Sequence, residues 1–272
     1  MGVSNMMNRT MLMEELKVRG YEVEPYEKVN NGVVLNGIIV KVGEISPIIY
    51  VESYIEEAKE FDLTVAEVVD KMEEVINSKL PTFDVEKLAD AQFVLERVFI
   101  GVQKASDEDN LKRESELEGI ETYLYVQICN EGSFKVRRNH LPSYKLTEEE
   151  LWERAEENTR KETVIRSMAS IMRDMGYYVD EEELGFYVVS NRSKERGASN
   201  VFDKKALEDL AQKLNVKGFA ILPSSIHEML LLPFHDEDEV DMKCLNEMVW
   251  SVNHTQVLPE ERLTDRAYMF QF

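Results

Sequence analysis

The sequence contains little cysteine, no long apolar run and no P-loop, dinucleotide-binding or EF-hand motif. Cys129 and Cys244 are its only cysteines, which are too few for a disulfide framework or a thiolate zinc site. No apolar run approaches the roughly 20 residues of a membrane span. The opening MGVSNMMNRT lacks the apolar core of a secretory signal. We therefore expect a cytoplasmic protein without a membrane anchor and without a cofactor.

Basic residues are also scarce. Lysine and arginine number 32, whereas aspartate and glutamate number 53, which gives a formal net charge of −21. A protein that binds nucleic acid needs a local density of cations to displace counterions from the phosphates, so we do not expect direct binding of DNA or RNA. A strongly negative chain favours contact with basic protein surfaces. A solvated acidic surface without a partner is the simpler interpretation.

About half of the acidic excess lies in one quarter of the chain. Residues 51–120 hold 19 acidic and 8 basic residues, and subtraction gives a net charge of −11 for this segment. If the carboxylates were aligned on one rigid face, they would imitate the phosphates of a nucleic acid. Within the segment, residues 93–102 fit either a strand or a helix. Residues 104–119 are polar throughout and predict an exposed connection.

Turn signals separate short apolar segments that are typical of strands. Asn31 and Gly32 lie between two such segments, and an Asn-Gly step accepts positive φ angles, so this region predicts a β-hairpin. A second hairpin is predicted around Glu131 and Gly132. Strands joined by short hairpins and mixed with separate helices predict an α+β fold with mainly antiparallel sheets.

The clearest start of a helix is at Thr147. Thr147 and Glu150 have the spacing of a capping box, in which two side chains satisfy main-chain N–H groups at the helix start. Apolar residues at helical spacing continue to Met175, and the polar stretch between them leaves open one long helix or two with a break. We predict an N-terminal α+β region at 1–145 and a C-terminal α+β region at 146–272 led by this helix. One continuous domain is the alternative.

The stretch ILPSSIHEMLLLPFHDEDE, residues 221–239, concentrates side chains that are common in active sites. A serine hydrolase needs a base within reach of the serine hydroxyl and an acid that orients the base. Ser225 and His227 would share one face of an extended chain, whereas Glu228 would lie on the opposite face. The G-x-S-x-G motif is absent, so the acid would have to come from elsewhere in the fold.

The same stretch has a simpler structural interpretation. The residues between His227 and His235 are predicted to form a strand, which would separate the two imidazoles by about 26 Å. At that distance they cannot share a metal ion unless the chain folds back between them. We therefore predict no metal site. PSSIHE is typical of a turn between strands, in which hydroxyl and imidazole groups bond to the main chain. HDEDE then supplies a cap and negative charge for the next helix.

Two groups of basic residues are weaker candidates for binding. Arg137, Arg138 and His140 form the densest basic cluster, and Arg192, Lys194 and Arg196 lie in a predicted turn. Cationic side chains in such a turn can hold a phosphate or a carboxylate of a partner. Exposed hairpin loops are often cationic without further function, and the sequence does not distinguish the two interpretations.

Residues 186–233, FYVVSNRSKERGASNVFDKKALEDLAQKLNVKGFAILPSSIHEMLLLP, resemble a bacterial domain family of unknown function that is met in gut anaerobes. Its members carry a V-x-N…GA…L…LPSSIHE…P pattern. Residues 123–159, YLYVQICNEGSFKVRRNHLPSYKLTEEELWERAEENT, and residues 32–52 are similar to it as well, whereas residues 80–120 depart from it. The resemblance implies no activity, and it implies a context of mobile or phage-related DNA.

Two hypotheses follow from the sequence. The first is a non-enzymatic, acidic, cytoplasmic protein that acts by binding a partner protein, as an accessory or anti-defence factor of a mobile element or phage. The second is a hydrolase or transferase centred on Ser225 and His227, with Glu228 beside them. The acidic excess, the family resemblance and the lack of a catalytic constellation favour the first hypothesis.

Overall fold

The computed structural model describes residues 7–42, 46–78, 85–129, 132–180 and 185–272. The chain forms two compact units, Met1–Thr82 and Phe83–Phe272. The boundary predicted from the sequence at 145/146 falls inside the second unit, so it does not coincide with the division between the units. Glu131, at the second predicted hairpin, lies outside the described residues.

Among its described residues, the first unit contains one antiparallel sheet and three helices. The sheet has the order β1-β2-β3. Asn31 and Gly32 have φ angles of 51° and 76°, which confirms the predicted hairpin between β1 and β2. The elements are α1 (Arg9–Val18), β1 (Glu22–Asn30), β2 (Val33–Lys41), β3 (Ile48–Tyr50), α2 (Glu52–Phe61) and α3 (Val65–Ile76).

An ionic cluster connects α1 to α3 beside the core of the first unit. The guanidinium of Arg19 donates to the carboxylates of Asp70 and Glu73 at 2.6 and 2.7 Å. Two of the acidic residues of segment 51–120 are therefore bound by a cation of their own unit. The side chains that are buried beneath this cluster include Leu12, Leu16, Ile38, Val40, Val68, Val69, Met72 and Ile76.

The second unit contains two antiparallel sheets and the remaining helices. Its helices are α4 (Ala91–Arg97), α5 (Leu141–Tyr144), α6 (Glu148–Lys161), α7 (Met168–Asp174), α8 (Lys204–Leu214) and α9 (Met242–Gln256). Its strands are β4 (Val98–Lys104), β5 (Lys112–Glu114), β6 (Ile120–Cys129), β7 (Gly132–Lys135), β8 (Thr163–Ser167), β9 (Tyr187–Asn191), β10 (Gly218–Pro223), β11 (Met229–Phe234) and β12 (Tyr268–Gln271). Short 3₁₀ turns connect several of these elements, and we call Gly197–Phe202 the junction turn.

One sheet of the second unit has the order β4-β6-β5, with β7 also paired to β6, and the other has the order β12-β10-β11-β9-β8. All of these described pairs are antiparallel. The prediction of an α+β fold with mainly antiparallel sheets is therefore confirmed. Within the described ranges, every helix is too short or too polar to cross a bilayer.

Three local predictions are resolved or corrected by these elements. Residues 93–102 combine both alternatives, because α4 ends and β4 begins within them. Of the two alternatives after Thr147, two helices with a break is correct, and the break is strand β8. The prediction that residues 104–119 form only an exposed connection is wrong. They include β5, and their Leu111 and Leu117 are buried.

The junction turn joins the four-stranded sheet, α6 and β8 through buried polar side chains. The Ser199 hydroxyl donates to the main-chain oxygen of Ile100 at 2.6 Å. The Asn200 amide donates to the main-chain oxygen of Thr159 at 2.8 Å and to the Thr163 hydroxyl at 2.9 Å. Ser199 and Asn200 are only 3% and 2% exposed, so these bonds are shielded from water and specify one arrangement of the turn.

Gly218, at the start of β10, leaves no space for a side chain. A Cβ built there would lie 2.2 Å from the main-chain oxygen of Phe270. We expect Gly218→Ala to lower the free energy of unfolding by about 1–3 kcal/mol, because packed backbone has to move. Chemical denaturation measures this loss. Gly185→Ala is the matched control, because nothing lies within 4 Å of a Cβ there. Equal stability of the two variants would contradict this account of the packing.

The predicted capping box at the start of α6 is confirmed. The N–H and hydroxyl of Thr147 donate to the Glu150 carboxylate at 2.8 and 2.7 Å, and the Glu150 N–H donates to the Thr147 hydroxyl at 3.2 Å. The main-chain bond and then the hydroxyl bond lower the pKa of Glu150 below its ordinary value of 4.5. Because the folded-state pKa is lowered, the stabilisation is present above the unfolded-state pKa and is lost as the pH falls through the folded-state pKa.

We therefore expect Glu150→Gln to reduce the free energy of unfolding at neutral pH and to lose less of it than the wild type on acidification to about pH 3. Urea denaturation at the two pH values measures this difference. Glu153→Gln is the control, because it removes an exposed charge from the same helix without touching the cap. If Glu150→Gln kept the pH dependence of the wild type, the carboxylate would not have this role.

Candidate functional site

The serine of the predicted site closes the turn between β10 and β11. The Ser225 N–H donates to the main-chain oxygen of Glu228 at 3.2 Å, and the Ser225 hydroxyl accepts from the main-chain N–H of His227 at 3.0 Å. The stretch is thus a turn between two strands, as the sequence predicts. The described contacts of the Ser225 hydroxyl are to the main chain and not to the imidazole.

Both ring nitrogens of His227 are occupied by other groups. Nδ1 accepts from the main-chain N–H of Arg196 at 3.2 Å, which leaves the proton on Nε2. Nε2 then lies 3.2 Å from a carboxylate oxygen of Glu261, to which it donates. The acid thus comes from elsewhere in the fold, as the catalytic hypothesis requires. The Glu261 carboxylate faces Nε2, and the main-chain N–H of Arg196 covers Nδ1, which is the nitrogen that would have to act as the base.

Arg196 is engaged with two tyrosines of the four-stranded sheet. Its Nη1 donates to the Tyr123 hydroxyl at 3.0 Å, and its guanidinium lies 5.6 Å from the ring centroid of Tyr125. Burial raises the pKa of the Tyr123 phenol, so the hydroxyl stays neutral while it accepts this bond. The other two cations of the same turn, Arg192 and Lys194, are exposed. Nε of Arg192 lies 3.8 Å from a carboxylate oxygen of Glu162. The main chain of Lys194 has a positive φ of 61°.

The pair Arg137 and Arg138 belongs to the connection that leads to α6. Arg138 forms an ion pair of 2.9 Å with Glu148 in the first turn of α6. The main-chain N–H of Arg137 donates to Nδ1 of His140 at 3.3 Å. Burial, and next the charge of Arg137, lower the pKa of the His140 imidazole. Among the described residues, no group of three or more His, Cys, Asp or Glu side chains is placed to hold a metal ion.

A cavity of about 750 Å³ lies beside β5 in the second unit. It is lined by β5 with the two residues that follow it, by α6 and by the start of α8. Ile100, Thr122 and the junction turn also line it, and we call these residues its base. We call it the β5 cavity. Its volume lies in the range of sites that hold small ligands or side chains of a partner.

Four hydroxyl side chains line the β5 cavity, and each is bonded to the main chain. Besides Ser199, Ser115 donates to the Ile120 oxygen at 2.7 Å, and Thr122 donates to the Arg113 oxygen at 3.2 Å. Thr159 accepts from the Ile100 N–H at 3.0 Å. Neither histidine nor cysteine occurs among the described residues that line the cavity. The four hydroxyls thus form a fixed polar surface of the cavity.

The lining of the cavity carries charges of both signs. Its carboxylates are Glu114, Glu116, Glu156, Asp203 and Glu208, and its cations are Arg113, Arg160, Lys204 and Lys205. Three ion pairs hold most of the cations: Lys204 with Glu116, Arg160 with Glu156 at 3.2 Å, and Arg113 with Glu149 at 3.0 Å. Such exposed pairs contribute little to stability. The lining as a whole holds five carboxylates and four cations, so it has a small excess of negative charge.

Trp152 of α6 is a buried side chain of the same lining. It is 2% exposed, and its indole Nε1–H has no hydrogen-bond acceptor in the described part of the chain. The guanidinium of Arg113 lies 4.4 Å from its ring centroid. A buried N–H without an acceptor costs about 1–3 kcal/mol.

The sequence did not indicate the β5 cavity. Its lining comes from five separate stretches of the chain, and β5 itself lies in residues that were predicted to be an exposed connection. A local signal existed only at α8, where Asp203 followed by Lys204 and Lys205 marks a charged helix start. Nothing in that local pattern reveals that β5 and α6 face the same space.

Fold and site together define an α+β protein of two compact units with a mixed-charge cavity in the second. The chain belongs to the family of unknown function DUF5688, whose model matches residues 3–271. No match was found among curated proteins or among solved structures. The family membership confirms the resemblance noted in the sequence, whereas an origin in bacteria of the gut stays a prediction.

His227 bonds the β10–β11 connection to two distant turns, through Arg196 and Glu261. We therefore expect His227→Ala to reduce the free energy of unfolding by about 1–3 kcal/mol, because both bonds are lost. Thermal and urea denaturation measure the effect. His235→Ala is the control, because that imidazole is exposed. A His227→Ala variant as stable as the control would refute the fastening role.

Proposed function

We propose that the protein acts without catalysis, by binding a segment of a partner protein in the β5 cavity. The observation that carries the proposal is the state of the cavity lining, in which each hydroxyl is bonded to the main chain while charged groups of both signs line the same space. We propose the cytoplasm as its location. A role as accessory or anti-defence factor of a mobile element or phage stays a prediction.

The fixed geometry of the base supports a binding function. Ser199 and Asn200 hold the junction turn against the sheet and against α6 by buried bonds. A surface that does not need to be ordered on binding loses less conformational entropy when a partner arrives. The cavity is thus suited to recognise a partner by shape and charge.

The engagement of His227 weakens the alternative of a hydrolase or transferase centred on Ser225. Catalysis there would require one ring nitrogen to face the serine hydroxyl. In the structure, one nitrogen accepts from a main-chain N–H and the other faces Glu261. Glu228 contributes a main-chain oxygen to the turn. These residues are better explained as structural residues that hold the turn in place. The catalytic hypothesis stays a prediction without a supporting contact.

Mimicry of nucleic acid also lacks support. Segment 51–120 is divided between the two units at 82/83. Several of its carboxylates are bound by cations of the same unit, since Arg19 pairs with Asp70 at 2.6 Å and Lys135 pairs with Glu108 at 2.6 Å. Carboxylates that are neutralised in this way do not form a phosphate-like array. We therefore propose recognition of a protein through the cavity.

Two neighbouring residues of α8 provide a matched test of the site. Glu208 lines the cavity, whereas Asp209 is exposed and does not. We expect Glu208→Lys to weaken retention of a partner at least about tenfold in affinity purification from the native host, because one charge contact is reversed. Asp209→Lys, with the same change of net charge, should retain that partner. Rising salt should weaken binding to the wild type.

Thermal denaturation of both variants verifies that they are folded before the comparison is made. If the wild type and both variants retained the same proteins in the same amounts, the β5 cavity would not be the binding site and the proposal would fail.

A further inference from the structure

Strand β5 has a free edge beside the cavity. It pairs with β6 on one side and with no other strand among the residues that the structure describes. The main-chain oxygen of Leu111 accepts from the Leu124 N–H at 3.0 Å, and the Ser115 N–H donates to the Ile120 oxygen at 3.3 Å, both toward β6. Alternate residues of an antiparallel strand bond to the same neighbour.

It follows that Lys112 and Glu114 direct their main-chain N–H and C=O groups away from β6. The side chain of Lys112 is held by Glu121 on the sheet, whereas Glu114 is exposed and lines the cavity. The outer edge of β5 therefore presents hydrogen-bonding groups next to a preformed cavity. Main-chain pairing to such an edge, with side chains entering adjacent pockets, is a general mode of peptide recognition.

The charge around this edge indicates which segment fits. Glu114 and Glu208 form no ion pair with another described residue. Lys205 is the one cation of the lining that also forms no ion pair with a described residue. Arg113 is already neutralised by Glu149. The whole chain carries a net charge of −21, which disfavours a second copy of itself as the occupant and favours a basic segment.

We propose that a basic, extended segment of the partner adds to the free edge of β5 as a further strand, with its side chains in the β5 cavity. The inference rests on the proposed function and specifies how binding occurs. Because β5 has only three residues, it accepts one short segment.

A synthetic peptide of about eight residues that alternates lysine and valine is the probe, and a peptide that alternates glutamate and valine is its counterpart. Fluorescence polarisation on the full chain measures the affinities. We expect the lysine peptide to bind at least about tenfold more tightly than the glutamate peptide. We also expect Glu114→Lys and Glu208→Lys each to weaken the affinity for the lysine peptide about tenfold. Asp209→Lys should bind this peptide with the affinity of the wild type.

The mode of binding is tested by two further measurements. Hydrogen exchange should show new protection of the Lys112 and Glu114 amides when the lysine peptide is bound. Peptides that are N-methylated at single positions should lose affinity at about two positions that are two residues apart, because only alternate N–H groups of an added strand face β5 and β5 has only three residues. General attraction between opposite charges would give no such alternation.

Two results would overturn the inference and leave the proposed function intact. One is binding that depends on Glu208 without protection of the two β5 amides and without alternation. The other is a lysine peptide that binds no better than the glutamate peptide, while the affinity purification still shows a partner lost with Glu208→Lys. Loss of both the peptide signal and the Glu208-dependent partner would overturn the inference and the proposed function together.

Discussion

The second unit depends on two buried polar side chains of the junction turn, Ser199 and Asn200. Their bonds reach the main chain of β4 and of α6, and Asn200 also reaches β8. A buried donor that loses its partner costs more than the bond contributes, so the turn has one favourable position. The apolar core then follows this arrangement, because Val102 and Ile120 of one sheet share a cluster with Phe219 and Leu231 of the other.

The junction turn also contributes to the proposed binding site. It forms part of the base of the β5 cavity, and so the cavity has a defined shape. Polar side chains that resemble catalytic groups serve the architecture, since His227 holds two turns and the cavity hydroxyls hold main-chain groups. The remaining groups are the charged side chains of the lining and the free edge of β5, and the proposed function uses these groups for recognition.

The sequence predicted the features that depend on neighbours in the chain. The Asn31-Gly32 hairpin and the capping box of Thr147 and Glu150 need only a few consecutive residues, and both are confirmed. The partners of His227 and Arg196 were not predicted, because Glu261 lies 34 residues from the imidazole and Tyr123 lies 73 residues from the guanidinium. The cavity was missed for the same reason, since its lining residues come from five separate stretches of the chain.

Native-state hydrogen exchange of the Ile100 amide tests the role of the junction turn most directly. This N–H donates to the Thr159 hydroxyl, and the oxygen of the same residue accepts from Ser199. If the turn is locked as described, the amide should exchange with the same opening free energy as Ala220 in the centre of β10, that is, through global unfolding. Exchange through a local opening of much lower free energy would show that the turn moves independently and would contradict a preformed cavity.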